Sequence, residues 1–242
     1  MQFLSSIPLV VTSALVIFSP LQEGGTTHVA QMIIRFLILA WAGGALALSI
    51  RQGRLTIPLL SVRYFVLVFL GFAVIATMFS PYAHPSRQWL FTIICYATLF
   101  YLLVSFVDRW EHVHTLTIVV VLMGVGEAAL TILQGLVWND MRPSGTFFNP
   151  NFLAGYLAVS WAILLSAAVY GYRRTAALHW LPISPTLWWF GVGASLGSLF
   201  LAVLLTQSRG GMIVVLVATV FIVMARYGWK VAGNWLVLLM VG

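Results

Sequence analysis

The sequence predicts an all-α polytopic membrane protein, a bundle of about eight complete transmembrane helices with the beginning of a ninth. Hydrophobic types make up 62% of its 242 residues and charged types only 7%, against about 25% charged in an average soluble protein. Mean hydropathy is +1.03, and a soluble globule has too few polar groups at this composition to cover its apolar surface. The apolar residues also gather into runs of the length that a helix needs to cross a bilayer, about 20 residues. Cys95 is the only cysteine and lies inside an apolar run, which excludes a disulfide scaffold.

The candidate spans fall, in order, at 3–20, 29–50, 62–80, 88–107, 113–137, 150–171, 187–205 and 210–227. A ninth begins near 232 and reaches Gly242 at about half the required length, so the chain is expected to be the N-terminal part of a longer protein, a single transmembrane domain over 1–242. The first run has no basic residue before it and no small-x-small cleavage site ahead of Leu21-Gln22-Glu23, and reads as a retained span.

The net charge is +7, but the basic residues are one lysine, Lys230, and arginines scattered singly or in pairs between apolar runs. That pattern sets membrane orientation and gives no nucleic-acid surface. With the N-terminus cytoplasmic, Arg51, Arg54, Arg63, Arg109, Arg173, Arg174, Arg226 and Lys230 fall inside, and only Arg87, Arg142 and Arg209 outside. The bias fixes the N-terminus inside. Even-numbered helices then begin at the outer face, where their N-termini attract anions. Arg87 opens the fourth helix, Arg142 precedes the sixth and Arg209 introduces the eighth.

Two polar segments stand out. Between the fifth and sixth spans runs Arg142-Pro143-Ser144-Gly145-Thr146-Phe147-Phe148-Asn149-Pro150-Asn151. Asn149 and Pro150 suit an N-cap and a first helical position. A turn at Gly145 would let Arg142 fold back over exposed N–H groups and form a pocket for phosphate. Between the seventh and eighth spans comes Thr206-Gln207-Ser208-Arg209-Gly210-Gly211. Ser208 either caps the eighth helix or joins a site. Arg209, placed against the positive-inside bias, has no topological reason to be there.

Arg35 and Glu127 are the ionisable residues inside spans. Glu127 shares a helix face with Thr131 and Gln134, further toward the outside, and this stripe suits either a substrate groove or a buried partner for Arg35. No Gly-rich phosphate loop, metal-spaced His/Cys cluster or paired acidic motif is present. Gly193 and Gly197 form a helix-packing motif. His28 and His84 read as surface residues, and the Trp and Tyr residues near span ends as interfacial anchors.

The two polar segments, extended through Phe152-Leu153-Ala154-Gly155-Tyr156, resemble the O-antigen ligase and O-antigen polymerase superfamily of bacterial inner-membrane glycosyltransferases in content, order, spacing and side of the membrane. The similarity covers about residues 140–225, and the preceding spans fit in number and hydropathy. It implies a bundle of the type-C glycosyltransferase class and a glycan donor carried on undecaprenyl pyrophosphate. It further implies transfer to an acceptor hydroxyl at the periplasmic face, with no cofactor and no metal. The acceptor would be lipid A-core, a growing glycan or a protein. The resemblance gives Arg142 and Arg209 the donor pyrophosphate, and Arg87 and Arg35 would be secondary helpers; Asn149, Asn151, Ser208 and Glu127 are further substrate-binding candidates from the polar segments and the stripe. The histidine that serves the family as proposed general base lies on a later periplasmic loop, so this chain by itself is expected to be inactive. A membrane transporter, similar to relatives labelled bicarbonate carriers, and a non-catalytic partner are the alternative readings. A transporter would show discontinuous helices and often an internal repeat, and no repeat is visible.

Overall fold

The computed structural model describes residues 2–51, 62–107, 109–171 and 184–228. Eight α-helices make up the described residues: α1 (Gln2–Leu21), α2 (His28–Arg51), α3 (Arg63–Met78), α4 (Ala83–Phe106), α5 (Trp110–Leu136), α6 (Pro150–Gly171), α7 (Pro185–Leu205) and α8 (Arg209–Tyr227). Six of them, α2 and α4–α8, are long and apolar enough to cross a membrane, while the apolar parts of α1 and α3 are shorter, Pro8–Leu21 and Tyr64–Met78. Large apolar side chains stand exposed along the helices, among them Phe65, Phe72, Phe190 and Phe221. In water such a surface would aggregate; in hydrocarbon it is the solvated face. The chain is a polytopic helical membrane protein.

Most predicted spans agree with the helices to within three residues. The clear exception is α4, which begins at Ala83 and not at residue 88. Pro85 therefore sits in its first turn, where the missing N–H breaks no helical hydrogen bond. Arg87 lies one turn inside the helix and does not open it; its Nε donates to Ala83 O at 3.1 Å. The ninth span expected from 232 lies outside the described residues, as do Arg54, Arg173, Arg174 and Lys230 of the orientation count.

The helices fall into two compact units, Met1–Leu15 with Thr26–Val113 and Val16–Gly25 with His114–Gly242. In the first unit α4 packs against α2 and α3. Leu15, Ile38, Trp41, Cys95 and Leu102 form its core, and the Trp41 and Phe106 rings meet at 6.0 Å. Arg35 is held within this unit. Its Nη2 donates to Gln31 Oε1 at 2.9 Å and to Thr92 Oγ1, and its guanidinium lies over the Phe91 ring at 5.5 Å.

The second unit is built around α6, the most enclosed of the long apolar helices. α6 packs against α7 and α8, while Phe152 and Val159 stand exposed on it, so a helix in lipid can be apolar on nearly all sides. Leu153 and Leu157 of α6 are fully buried with Leu199 and Val203 of α7, and Ala128 of α5 and Val215 of α8 complete the core. Small residues set the closest approaches, as is usual where helices pack without a hydrophobic driving force. A Cβ on Gly211 would lie 2.6 Å from Ala154 Cβ, so α6 and α8 touch backbone to side chain there. Trp161 Nε1 on α6 donates to Thr219 Oγ1 on α8 at 2.9 Å. Gly211→Val is expected to cost about 3 kcal/mol, the upper end of overpacking effects. Thermal unfolding of the detergent-purified chain checks this, and an unchanged midpoint would contradict the packing described.

Candidate functional site

Three short segments of the second unit converge: the loop before α6, the turn before α8, and the first two turns of both helices. The loop is positioned by α5. Gln134 closes a two-bond pair with the backbone of Gly145: Gly145 N donates to Gln134 Oε1 at 2.7 Å, and Gln134 Nε2 donates to Gly145 O at 2.9 Å. Two turns earlier on the same face, the buried Glu127 carboxylate takes the next residue. Thr146 N donates to its Oε2 at 3.0 Å, and Thr146 Oγ1 lies 2.6 Å from its Oε1 and 2.6 Å from Pro20 O. Glu127 therefore serves the loop through Thr146. The chain can follow this path because Gly145 adopts φ +60°, a left-handed conformation that a Cβ makes costly. Phe147 anchors the far side of the turn. It is buried, stacks on Tyr156 at 5.4 Å, and fills the space against Gly24, where a Cβ would come within 2.6 Å of the ring.

The helix starts follow the rules of capping. Asn149 Oδ1 accepts from Asn151 N at 2.8 Å with Pro150 as the first residue of α6, and Ser208 Oγ accepts from Gly211 N at 3.2 Å at the head of α8. Asn149 and Ser208 thus have structural work to do, and Ser208 also borders the site.

The loop and the turn are joined by a reciprocal clasp. Arg142 Nε donates to Thr206 O at 3.0 Å, and Gln207 Nε2 donates back to Met141 O at 2.9 Å. Arg142 Nη2 also donates to Asn151 Oδ1 at 2.8 Å. The guanidinium is thereby fixed against the start of α6 and the turn, beside the helix end toward which a turn at Gly145 was expected to fold it. Gln207 holds its part of the clasp in a left-handed backbone conformation, φ +53°, which is uncommon without glycine and costs about 1 kcal/mol or more.

Beside the clasp opens a cavity of about 760 Å³ lined by Arg142, Asn151, Gly155, Gln207, Ser208, Arg209, Gly210, Gly211 and Val214. Two arginines and no carboxylate line it. Arg209 is the first residue of α8, so its side chain and the unbonded N–H groups of that helix end share one positive field. Arg142 is oriented by two acceptors, Thr206 O and Asn151 Oδ1, while Arg209 makes no side-chain hydrogen bond to a described residue. One held and one free guanidinium suit an anion with two charged groups, because Arg offers planar, forked donors to phosphate oxygens.

Four of the residues predicted for the site, Arg142, Asn151, Ser208 and Arg209, therefore meet at one cavity. Asn149 and Glu127 support it from within the same unit. Arg35 and Arg87 belong to the first unit. Sequence reasoning missed Gln207, which sits inside the second motif but shows its role only through its backbone conformation. It also missed Gly155 and Gly210, although the i, i+4 spacing of Asn151 and Gly155 placed them on one face. Among the described residues no group of three His, Cys, Asp or Glu side chains could hold a metal ion. No family model, curated protein or solved structure matches the chain.

Proposed function

We propose that the protein is a membrane glycosyltransferase of the O-antigen ligase and polymerase type, moving a glycan from a polyprenyl pyrophosphate to an acceptor hydroxyl. In this reading the N-terminus is cytoplasmic, all eight helices cross the bacterial inner membrane in a type-C arrangement, and the cavity opens at the periplasmic face. The observation that carries it is the meeting of Arg142 and Arg209 on one acid-free cavity at the head of α8. The acceptor oxygen attacks the anomeric carbon while the bond from that carbon to the pyrophosphate oxygen breaks. The hydroxyl proton passes to a base, which the resemblance identifies as a histidine on a later loop. Negative charge grows on the departing pyrophosphate, and preorganised guanidinium and N–H groups lower the barrier most where charge develops.

The carrier reading rested on Glu127, whose carboxylate is engaged with Thr146 beneath the loop. Arg209→Lys tests the transferase reading, since lysine keeps the charge and loses the fork. Inorganic pyrophosphate affinity of the purified chain is expected to fall about tenfold, the equivalent of about 1.4 kcal/mol, with the melting temperature unchanged. Unaltered affinity would count against the proposal.

A further inference from the structure

The first unit has a cationic end of its own, where α2 and α4 begin. Arg35 ends the second turn of α2 and meets α4 at Thr92 and over the Phe91 ring. Holding the two helices together uses only Nη2, which donates to Gln31 Oε1 and Thr92 Oγ1. Arg35 Nε is enclosed with no partner, and Nη1 hydrogen-bonds to no described residue. One turn nearer the start of α4, on the rows that hold Phe91 and Thr92, stand Arg87 and Gln88, both exposed. Arg87 spends Nε on Ala83 O, and its terminal nitrogens have no described partner. No carboxylate is among the described partners of either arginine. The acidic residues of this unit, Asp108 and Glu111, follow the last turn of α4 in sequence. Glu23 belongs to the second unit, where its backbone bridges to Phe147. A guanidinium at the edge of hydrocarbon is costly without a counter-charge, and two that converge on one face of α4 call for an anion from outside the chain.

The level of this cluster identifies the source of the anion. Tyr82 and Trp89 lie two turns apart on α4, both exposed, and bracket Arg87; such side chains settle at the headgroup level of a bilayer. Long side chains lean toward the N-terminus of their helix, which brings the Arg35 head up to Gln31 and nearer the same level. We infer that the heads of α2 and α4 form a site for the phosphate of an anionic membrane phospholipid, with Arg35 Nη1 and the Arg87 guanidinium as its donors. Forked guanidinium groups suit phosphate oxygens, and two cations with no described acidic partner favour a lipid of net negative charge over a zwitterionic one. The site lies wholly within the first unit and does not depend on the reading of Arg142 and Arg209.

The test measures dioleoyl phosphatidylglycerol and dioleoyl phosphatidylcholine binding to the 242-residue chain in detergent by native mass spectrometry. Phosphatidylglycerol is expected to bind more tightly. Arg35→Gln and Arg87→Gln are each expected to weaken it about fivefold, the equivalent of about 1 kcal/mol for a basic residue beside an anionic headgroup, and to leave phosphatidylcholine unchanged. Should Arg35→Gln fail to fold, Arg87→Gln, at an exposed position, carries the same expectation. Arg51→Gln removes a cation in the last turn of α2 and is expected to change nothing. Equal affinity for the two lipids, no loss in either arginine variant, or the same loss in Arg51→Gln would overturn the site. Displacement of phosphatidylglycerol by millimolar inorganic phosphate would overturn the lipid as its occupant.

Discussion

Gly145→Ala is expected to destabilise the protein by about 3 kcal/mol and to loosen the loop that carries Arg142. Two independent costs combine. The backbone at Gly145 has φ +60°, where a residue with a Cβ pays about 1–2 kcal/mol. The new methyl would also lie 2.5 Å from Glu127 Oε2 and 3.3 Å from the nearest Leu153 methyl. The carboxylate must then leave the Thr146 N–H, and an unsatisfied buried partner costs about 1–3 kcal/mol. Gly126→Ala is the matched control, because a Cβ there meets nothing within 4 Å and alanine favours a helix. Thermal unfolding should separate the two variants, with Gly126→Ala unchanged or slightly stabilised. Hydrogen exchange of the Thr146 N–H should quicken in Gly145→Ala alone. Equal behaviour of the two variants would show that the Gln134–Gly145 and Glu127–Thr146 pairs do not determine the loop.

The second large effect concerns Arg142→Ala, which removes a cation and half of the clasp together. Thr206 O loses its donor, Asn151 loses its partner, and Gln207 is left holding Met141 O from a strained backbone. Truncating one member of a charge pair in a recognition site costs about 2–5 kcal/mol. Inorganic pyrophosphate affinity is therefore expected to fall about 100-fold, beyond the effect of Arg209→Lys. Arg142→Lys should recover little of it. One ammonium group does not span Thr206 O and Asn151 Oδ1 while presenting a donor to the ligand.

Much of the fold was legible because hydrocarbon imposes one solution on an apolar run. The ends of α2, α6, α7 and α8 agree closely with the runs, and Asn149-Pro150 and Ser208 mark helix starts by local chemistry alone. The start of α4 was less legible: the apolar run begins only at residue 88, whereas the helix starts at Ala83 with Pro85 tolerated in its first turn. At the site, charge and motif spacing brought Arg142 and Arg209 forward, since an arginine against the topological bias demands a reason. The service of Glu127 was ambiguous because a stripe at i, i+4, i+7 shows which residues share a face and not what they face. Thr146 lies nineteen residues away through a loop whose path depends on one left-handed glycine. The clasp was hidden for a similar reason. Gln207 is an ordinary glutamine in sequence, and only its left-handed backbone turns its amide toward Met141 O. Gly155 and Gly211 look alike on the page and differ in space, one beside a cavity and the other against Ala154.

In the proposed site two guanidinium groups hold one diphosphate. A double-mutant cycle over Arg142→Ala and Arg209→Ala, read as inorganic pyrophosphate affinity of the detergent-purified chain, addresses it directly. Groups that share a ligand couple, typically by about 0.5–3 kcal/mol, whereas independent sites add. One bound pyrophosphate per chain is expected, with a double variant only slightly weaker than the weaker single one. Additive losses, or an affinity that neither substitution changes, would contradict it.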